Sequence, residues 1–161
     1  MRTIKTILVP TDFSAASAHV LEYARDIADK FGASLHVIHV LENPFVAAAY
    51  TEMYTALPAD YLDNLDKAAR TRLEAQLTPD ETAKYGAVFI TRLGVPAHEI
   101  LDYLSTHGEI DLVVMATAGR GAVGRLVMGS VADKIVRAAP CPVLTIHLHD
   151  RSENGGAPRA A

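Results

Sequence analysis

An α/β, doubly wound fold with a mostly parallel sheet is predicted by three features of this 161-residue chain. Short continuous apolar runs, suited to strands buried on both faces, alternate with stretches of helical period. Those stretches are long enough for βαβ crossovers. A glycine-rich turn then joins the fourth apolar run to a helical pattern, a Rossmann-like arrangement in which helices cover both faces of the sheet.

Thr6-Ile7-Leu8-Val9 reads as the first strand, ending at Pro10. Over residues 14–31 the apolar positions Ala18, Leu21, Ala24, Ala28 and Phe31 recur at helical spacing, and Gly32 is a natural stop. Residues 35–40 form the second strand. Residues 43–57 have no period, and Pro44 and Pro58 stand near their ends. They are expected to be a mobile loop, with an apolar content (Phe45, Val46, Tyr50, Met53, Tyr54) high for a solvated connector. Leu62, Leu65, Ala69, Leu73 and Leu77 mark a second helix, expected to end at about Thr78-Pro79-Asp80. The third strand is placed at residues 87–90. Pro96 suits the first turn of a third helix that carries Ile100, Leu101 and Leu104 and is closed by Gly108. Residues 112–115 are the fourth strand, about 130–138 the fourth helix and 142–146 the fifth strand. Residues 1–147 are thus one domain, and the tail 148–161 has no core-forming pattern and is expected to be disordered.

Half of the residues are apolar and the net charge is −4. That balance gives no basic face for nucleic acid, which is not an expected partner. No apolar run approaches the roughly 20 residues that span a bilayer, and Met1-Arg2-Thr3-Ile4-Lys5 leads into a strand, so a cytoplasmic protein without membrane contact is expected. The single Cys141, between Pro140 and Pro142, agrees with a reducing compartment and reads as a small buried hydrophobe.

The most informative stretch is Gly119-Arg120-Gly121-Ala122-Val123-Gly124-Arg125, running on to Gly129-Ser130 between the fourth strand and the fourth helix. Glycines let backbone amides approach an anion, and the free amides and dipole of the helix N-terminus favour negative charge, so a phosphorylated ligand is expected. Gly119-x-Gly121-x-x-Gly124 matches the dinucleotide fingerprint in letters but stands after the fourth strand instead of the first, with no acidic ribose partner about 20 residues on inside the domain. The phosphate-loop alternative fails because Arg125-Leu126 stands where a lysine and a hydroxyl are required.

In open α/β sheets the ligand crevice lies at the carboxyl ends of the strands where their order reverses. If strands one and four are neighbours there, Asp12 faces Gly119 and Ser130 across one cleft. Asp12 would then meet ribose hydroxyls or a phosphate-held Mg²⁺, and Val40 would offer backbone groups to a base. Gly129 and Ser130 would bind phosphate, which Arg120 or Arg125 would pair with. Each residue also has a structural reading. Ser130 with Asp133 has the spacing of a capping box, and Asp12 or Ser14 suits the N-cap of the first helix. His147-x-His149 has one-face strand spacing, which is weak support for a metal. His36 and His39 point to opposite faces if both lie in the second strand.

Pro10-Thr11-Asp12-Phe13-Ser14, Gly94-Val95-Pro96, and Gly119-x9-Gly129-Ser130 running into Ala139-Pro140-Cys141-Pro142-Val143-Leu144 together resemble the universal stress protein family over residues 2–147. The resemblance implies a five-stranded parallel sheet in order 3-2-1-4-5 and a homodimer formed through the last strand, which would cover an apolar edge. It also implies ATP, with Mg²⁺, contacted by Pro10, Thr11, Asp12 and Val40 on one side. Met115, Ala116, Gly119, Arg120, Gly129, Ser130 and Val131 would contact it on the other, with Asp12 at the metal. The family's ATP-binding members carry Gly-x2-Gly-x9-Gly-Ser/Thr, and the first glycine is here Ala116. A methyl group obstructs the site if that position needs φ > 0 or close contact, and costs little if its φ is negative.

The expected function is a stress-response protein that binds ATP as a regulatory ligand, with an unidentified regulatory protein partner. No nucleophile sits beside an evident base, so any ATP hydrolysis is expected to be slow. The alternatives are a dimeric interaction module with no nucleotide, or a slow adenine-nucleotide hydrolase with Asp12 at the metal.

Overall fold

The computed structural model describes residues 3–42, 60–117 and 128–147. The expected loop 43–57, the glycine-rich turn with Gly119 and Arg120, and the tail 148–161 with His149 lie outside the described residues.

Five strands, β1 (Thr6–Pro10), β2 (Ser34–Leu41), β3 (Val88–Leu93), β4 (Leu112–Ala116) and β5 (Val143–Ile146), form one sheet in order β3-β2-β1-β4-β5. All four pairings are parallel. The helices are α1 (Ala15–Phe31), α2 (Tyr61–Glu74), α3 (Pro79–Lys84), α4 (Pro96–Thr106) and α5 (Ser130–Ala138). Strand side chains alternate between two cores. Ile7, Val9, Leu35, Val37 and Val114 pack with Val20, Leu21 and Ala24 of α1 and Leu73 of α2. Leu8, Ile38, Val113 and Met115 pack on the other face with Ile100 and Leu104 of α4 and Ile135 of α5. The central strands are apolar on both sides because helices cover both faces.

The predicted class, strand number and order agree with this sheet. Several boundaries differ, two of them for a clear local reason. The second helix ends at Glu74, and a separate α3 begins at Pro79. Thr78 caps α3 reciprocally with Glu81: its hydroxyl accepts from the Glu81 amide, while its own amide donates to the Glu81 carboxylate at 2.8 Å. Pro79 disfavours helical backbone at Thr78, so α2 cannot run on through it. The third strand runs through Leu93, past the predicted Ile90, because an edge strand needs no apolar side chains at Thr91 and Arg92 to pair with β2. At the other end of α4, His107 and not Gly108 is the C-cap.

Between β3 and α4, Gly94 has φ 155°, and its amide donates to the Leu41 carbonyl at 2.9 Å. A Cβ there would lie 2.6 Å from Glu99 Oε1. Glycine at this position lets the chain turn directly into Pro96, the first residue of α4. Among the described residues no helix is long and apolar enough to cross a membrane.

Candidate functional site

β1 and β4 are adjacent at the centre of the sheet, and their connections leave to opposite faces, β1 to α1 and β4 to α5. This is the reversal point at which an α/β sheet opens a crevice at its carboxyl edge. Pro10 ends β1, and Val40 is the next-to-last residue of β2. Met115 and Ala116 end β4, and Gly129, Ser130 and Val131 open α5. The described members of the predicted set therefore all stand at one edge of the sheet.

The loop after β1 is held by its own side chains. Thr11 is buried; its amide donates to the Ile38 carbonyl at 2.9 Å, and its hydroxyl donates to Ser17 Oγ at 3.1 Å. Asp12 Oδ1 accepts from the Ser14 amide at 3.0 Å and from the Ser17 hydroxyl at 2.9 Å. Ser14, not Asp12, is the N-cap of α1, its hydroxyl accepting from the Ser17 amide. Asp12 thus orients the loop from outside the helix.

On the β4 side, the Thr117 amide donates to the Ile146 carbonyl at 3.0 Å, and the Gly129 amide donates to the Thr117 carbonyl at 2.6 Å. These bonds tie the end of β4 to β5 and to the start of α5. Thr117 Oγ1 also lies 2.9 Å from His147 Nδ1, so this histidine is engaged at the sheet edge. The capping box expected at Ser130 and Asp133 does not form. Gly129 is the N-cap and Ser130 is already the first helical residue, while the Asp133 carboxylate pairs instead with Arg137 at 2.9 Å. A glycine cap has no side chain to satisfy the first helix amides, and a helix start of this kind favours an anion.

Ala116 does not have the positive φ that would have made its methyl costly. It is a regular β4 residue paired with Ile146, its φ is not positive, and its methyl packs on the core formed with α1. Alanine therefore imposes no backbone strain here. Ala116→Gly is expected to lower stability by about 0.5–1 kcal/mol, from the extra freedom of the unfolded chain, and to change the affinity for any nucleotide that binds by no more than about two-fold. Thermal melts and nucleotide titration of the variant check both parts.

A cleft of about 220 Å³ opens beside these elements, lined by Glu42, Val95, Pro96, Ala97, Ser130, Val131 and Lys134. Only Ser130 and Val131 of the predicted residues line it; the Pro10 to Asp12 loop stands outside its walls. Glu42, Val95, Pro96, Ala97 and Lys134 were not predicted as site residues. Lys134 was legible in principle, since it lies four residues after Ser130 and so on the same face of α5. Among the described residues no group of three His, Cys, Asp or Glu side chains could hold a metal ion.

Two other titratable groups, His36 and Cys141, are buried in part away from the cleft. His36 and His39 do face opposite sides of the sheet. His36 Nδ1 meets the Tyr103 hydroxyl at 2.8 Å, and burial lowers its pKa against the pull of Glu109. Burial raises the Cys141 thiol, which packs on the α4 and α5 core, so it is not a poised nucleophile.

The sequence profile of the Universal stress protein family matches residues 3–147. The chain belongs to this family. A universal stress protein of Thermus aquaticus is 35% identical over 153 residues, covering 88% of this chain and 98% of the relative. One from Methanocaldococcus jannaschii is 31% identical over 145 residues, covering 88% and 81%. Among solved structures, universal stress protein UspA from Lactobacillus plantarum matches with a TM-score of 0.67 and 27% identity, over 91% of this chain and 99% of the other. A universal stress protein solved in complex with cAMP matches with a TM-score of 0.59 and 20% identity, over 91% and 98%, a likeness of fold.

Proposed function

We propose that this universal stress protein is a cytoplasmic regulatory protein that binds ATP, together with Mg²⁺, in a homodimer. The observation that carries the reading is the convergence of the Asp12 loop, the end of β2, the end of β4 and the uncapped start of α5 on the carboxyl edge of the sheet, where β1 and β4 diverge. A relative with the same fold was solved with an adenine nucleotide, cAMP.

The residues suit such a ligand. The amides of Ser130 and Val131, with the helix dipole, would take phosphate oxygens. Lys134 on the cleft wall adds positive charge. One carboxylate, Asp12, suits Mg²⁺, which keeps several waters and is commonly bound through substrate phosphates plus one or two carboxylates. Backbone groups at Val40 would meet the base, while Gly119 and Arg120 would complete the phosphate side. In this reading ATP acts as a bound signal, read by a further regulatory protein.

Calorimetric titration tests this reading. Wild-type protein is expected to bind ATP more tightly with Mg²⁺ than with a chelator, and Asp12→Ala is expected to lose most of that difference while staying folded. A folded wild type that takes up no ATP at millimolar concentration would remove the nucleotide from the proposal and leave a dimeric interaction module.

A further inference from the structure

We infer that His39, acting with Phe13 and Arg72, is a positioning residue that locks the loop carrying Asp12 and so sets ligand affinity without touching the ligand. Phe13 has φ 61°, the left-handed region that an L-residue with a bulky side chain rarely adopts. Such a conformation persists only where its surroundings hold it. Here the Phe13 amide donates to Thr11 Oγ1 at 3.1 Å, and its carbonyl accepts from Arg72 Nη2 at 3.4 Å. Its ring lies 4.2 Å from the His39 ring and 4.4 Å from the Arg72 guanidinium.

His39 also acts on the residue before Asp12. Its Nδ1 is 2.8 Å from the Thr11 carbonyl oxygen. A carbonyl only accepts, so Nδ1 carries the proton and donates. Thr11 is thereby fixed to β2 through both backbone groups, since its amide already donates to Ile38. His39 thus holds Thr11 by a hydrogen bond and Phe13 by ring contact, and Asp12 lies between them. Val40 is its immediate neighbour, so the same short stretch of β2 would present backbone to the base and brace the carboxylate. Arg72, on α2, braces the loop from the exposed side of that helix.

This rests on the reading that Asp12 meets the ligand, and the test separates the two. Three variants are compared with wild type: His39→Phe keeps a ring but removes the donor, His39→Asn restores a donor near the Nδ1 position, and Arg72→Met changes an exposed side chain. Amide exchange at Phe13 and Ser14 reports the lock without any ligand. It is expected to quicken about ten-fold in His39→Phe, the size of one lost hydrogen bond, and to return to within about three-fold of wild type in His39→Asn. Arg72→Met is expected to quicken Phe13 exchange and to melt as wild type does. The ATP dissociation constant, measured with Mg²⁺, should rise in step with exchange. Unchanged exchange in both His39→Phe and Arg72→Met would overturn the lock. Faster exchange with unchanged ATP affinity would overturn its role in binding. A wild type with no ATP affinity would overturn the nucleotide reading and, with it, the role in affinity, while exchange still decides the lock.

Discussion

Gly129→Val is expected to fold as the wild type does and to lose ATP binding by about a hundred-fold or more, the scale of losing several charge-assisted hydrogen bonds to phosphate. Folding survives because Gly129 has φ −62° and ψ 152°, extended backbone that valine adopts readily. Its amide bond to the Thr117 carbonyl does not depend on a side chain. Binding fails because an isopropyl group at the N-cap of α5 would stand over the amides of Ser130 and Val131, which an anion must approach closely. Calorimetry with ATP and a melt of the same sample check the two halves. Native-like affinity in a folded variant would place the phosphates elsewhere on the molecule.

Leu144→Asp is expected to convert the proposed homodimer into monomers at micromolar concentration, read by sedimentation or light scattering. Among the described residues β5 is an outer strand bonded only to β4, and the other side of an outer strand is where a second copy can pair. Leu144 is 40% exposed on it, and Val136 of α5 is 45% exposed, apolar surface that a second copy would bury. A carboxylate there must be desolvated on association, which costs far more than burying leucine gains. The monomer should remain folded, because Leu144 contributes little to either core. A stable dimer in the variant would move the interface to another edge.

Much of this protein was legible in local sequence because its strands are short apolar runs and its connections carry strong punctuation. Gly32 adopts φ 66° at the end of α1, and Pro96 opens α4, both where residue chemistry alone put them. The capping signals were harder to assign. Ser130 and Asp133 have capping-box spacing but form none, whereas Thr78 and Glu81, with the same spacing, do. Spacing only permits a cap; the preceding backbone decides which residue stands outside the helix. At Ser130 the Gly129 to Thr117 bond starts the helix one residue early, and at Thr78 the following proline enforces extended backbone.

The candidate site divides in the same way. Asp12, Gly129 and Ser130 could be singled out because their residue types and neighbours carry chemistry within a few positions of the chain. His39, Phe13 and Arg72 could not, since they meet across 26 and 59 positions and nothing local announces that Phe13 takes a left-handed backbone. Nor could composition say whether Ala116 obstructs the cleft, which depends on the face of β4 that its methyl occupies. The sequence by itself determined the α/β class, the five strands and the anion-favouring start of the last helix, because periodicity and helix-end chemistry are local. Tertiary structure alone decided the braces behind the Asp12 loop, the walls of the cleft and the direction of the Ala116 methyl, because these follow from which distant strands and helices come to lie side by side.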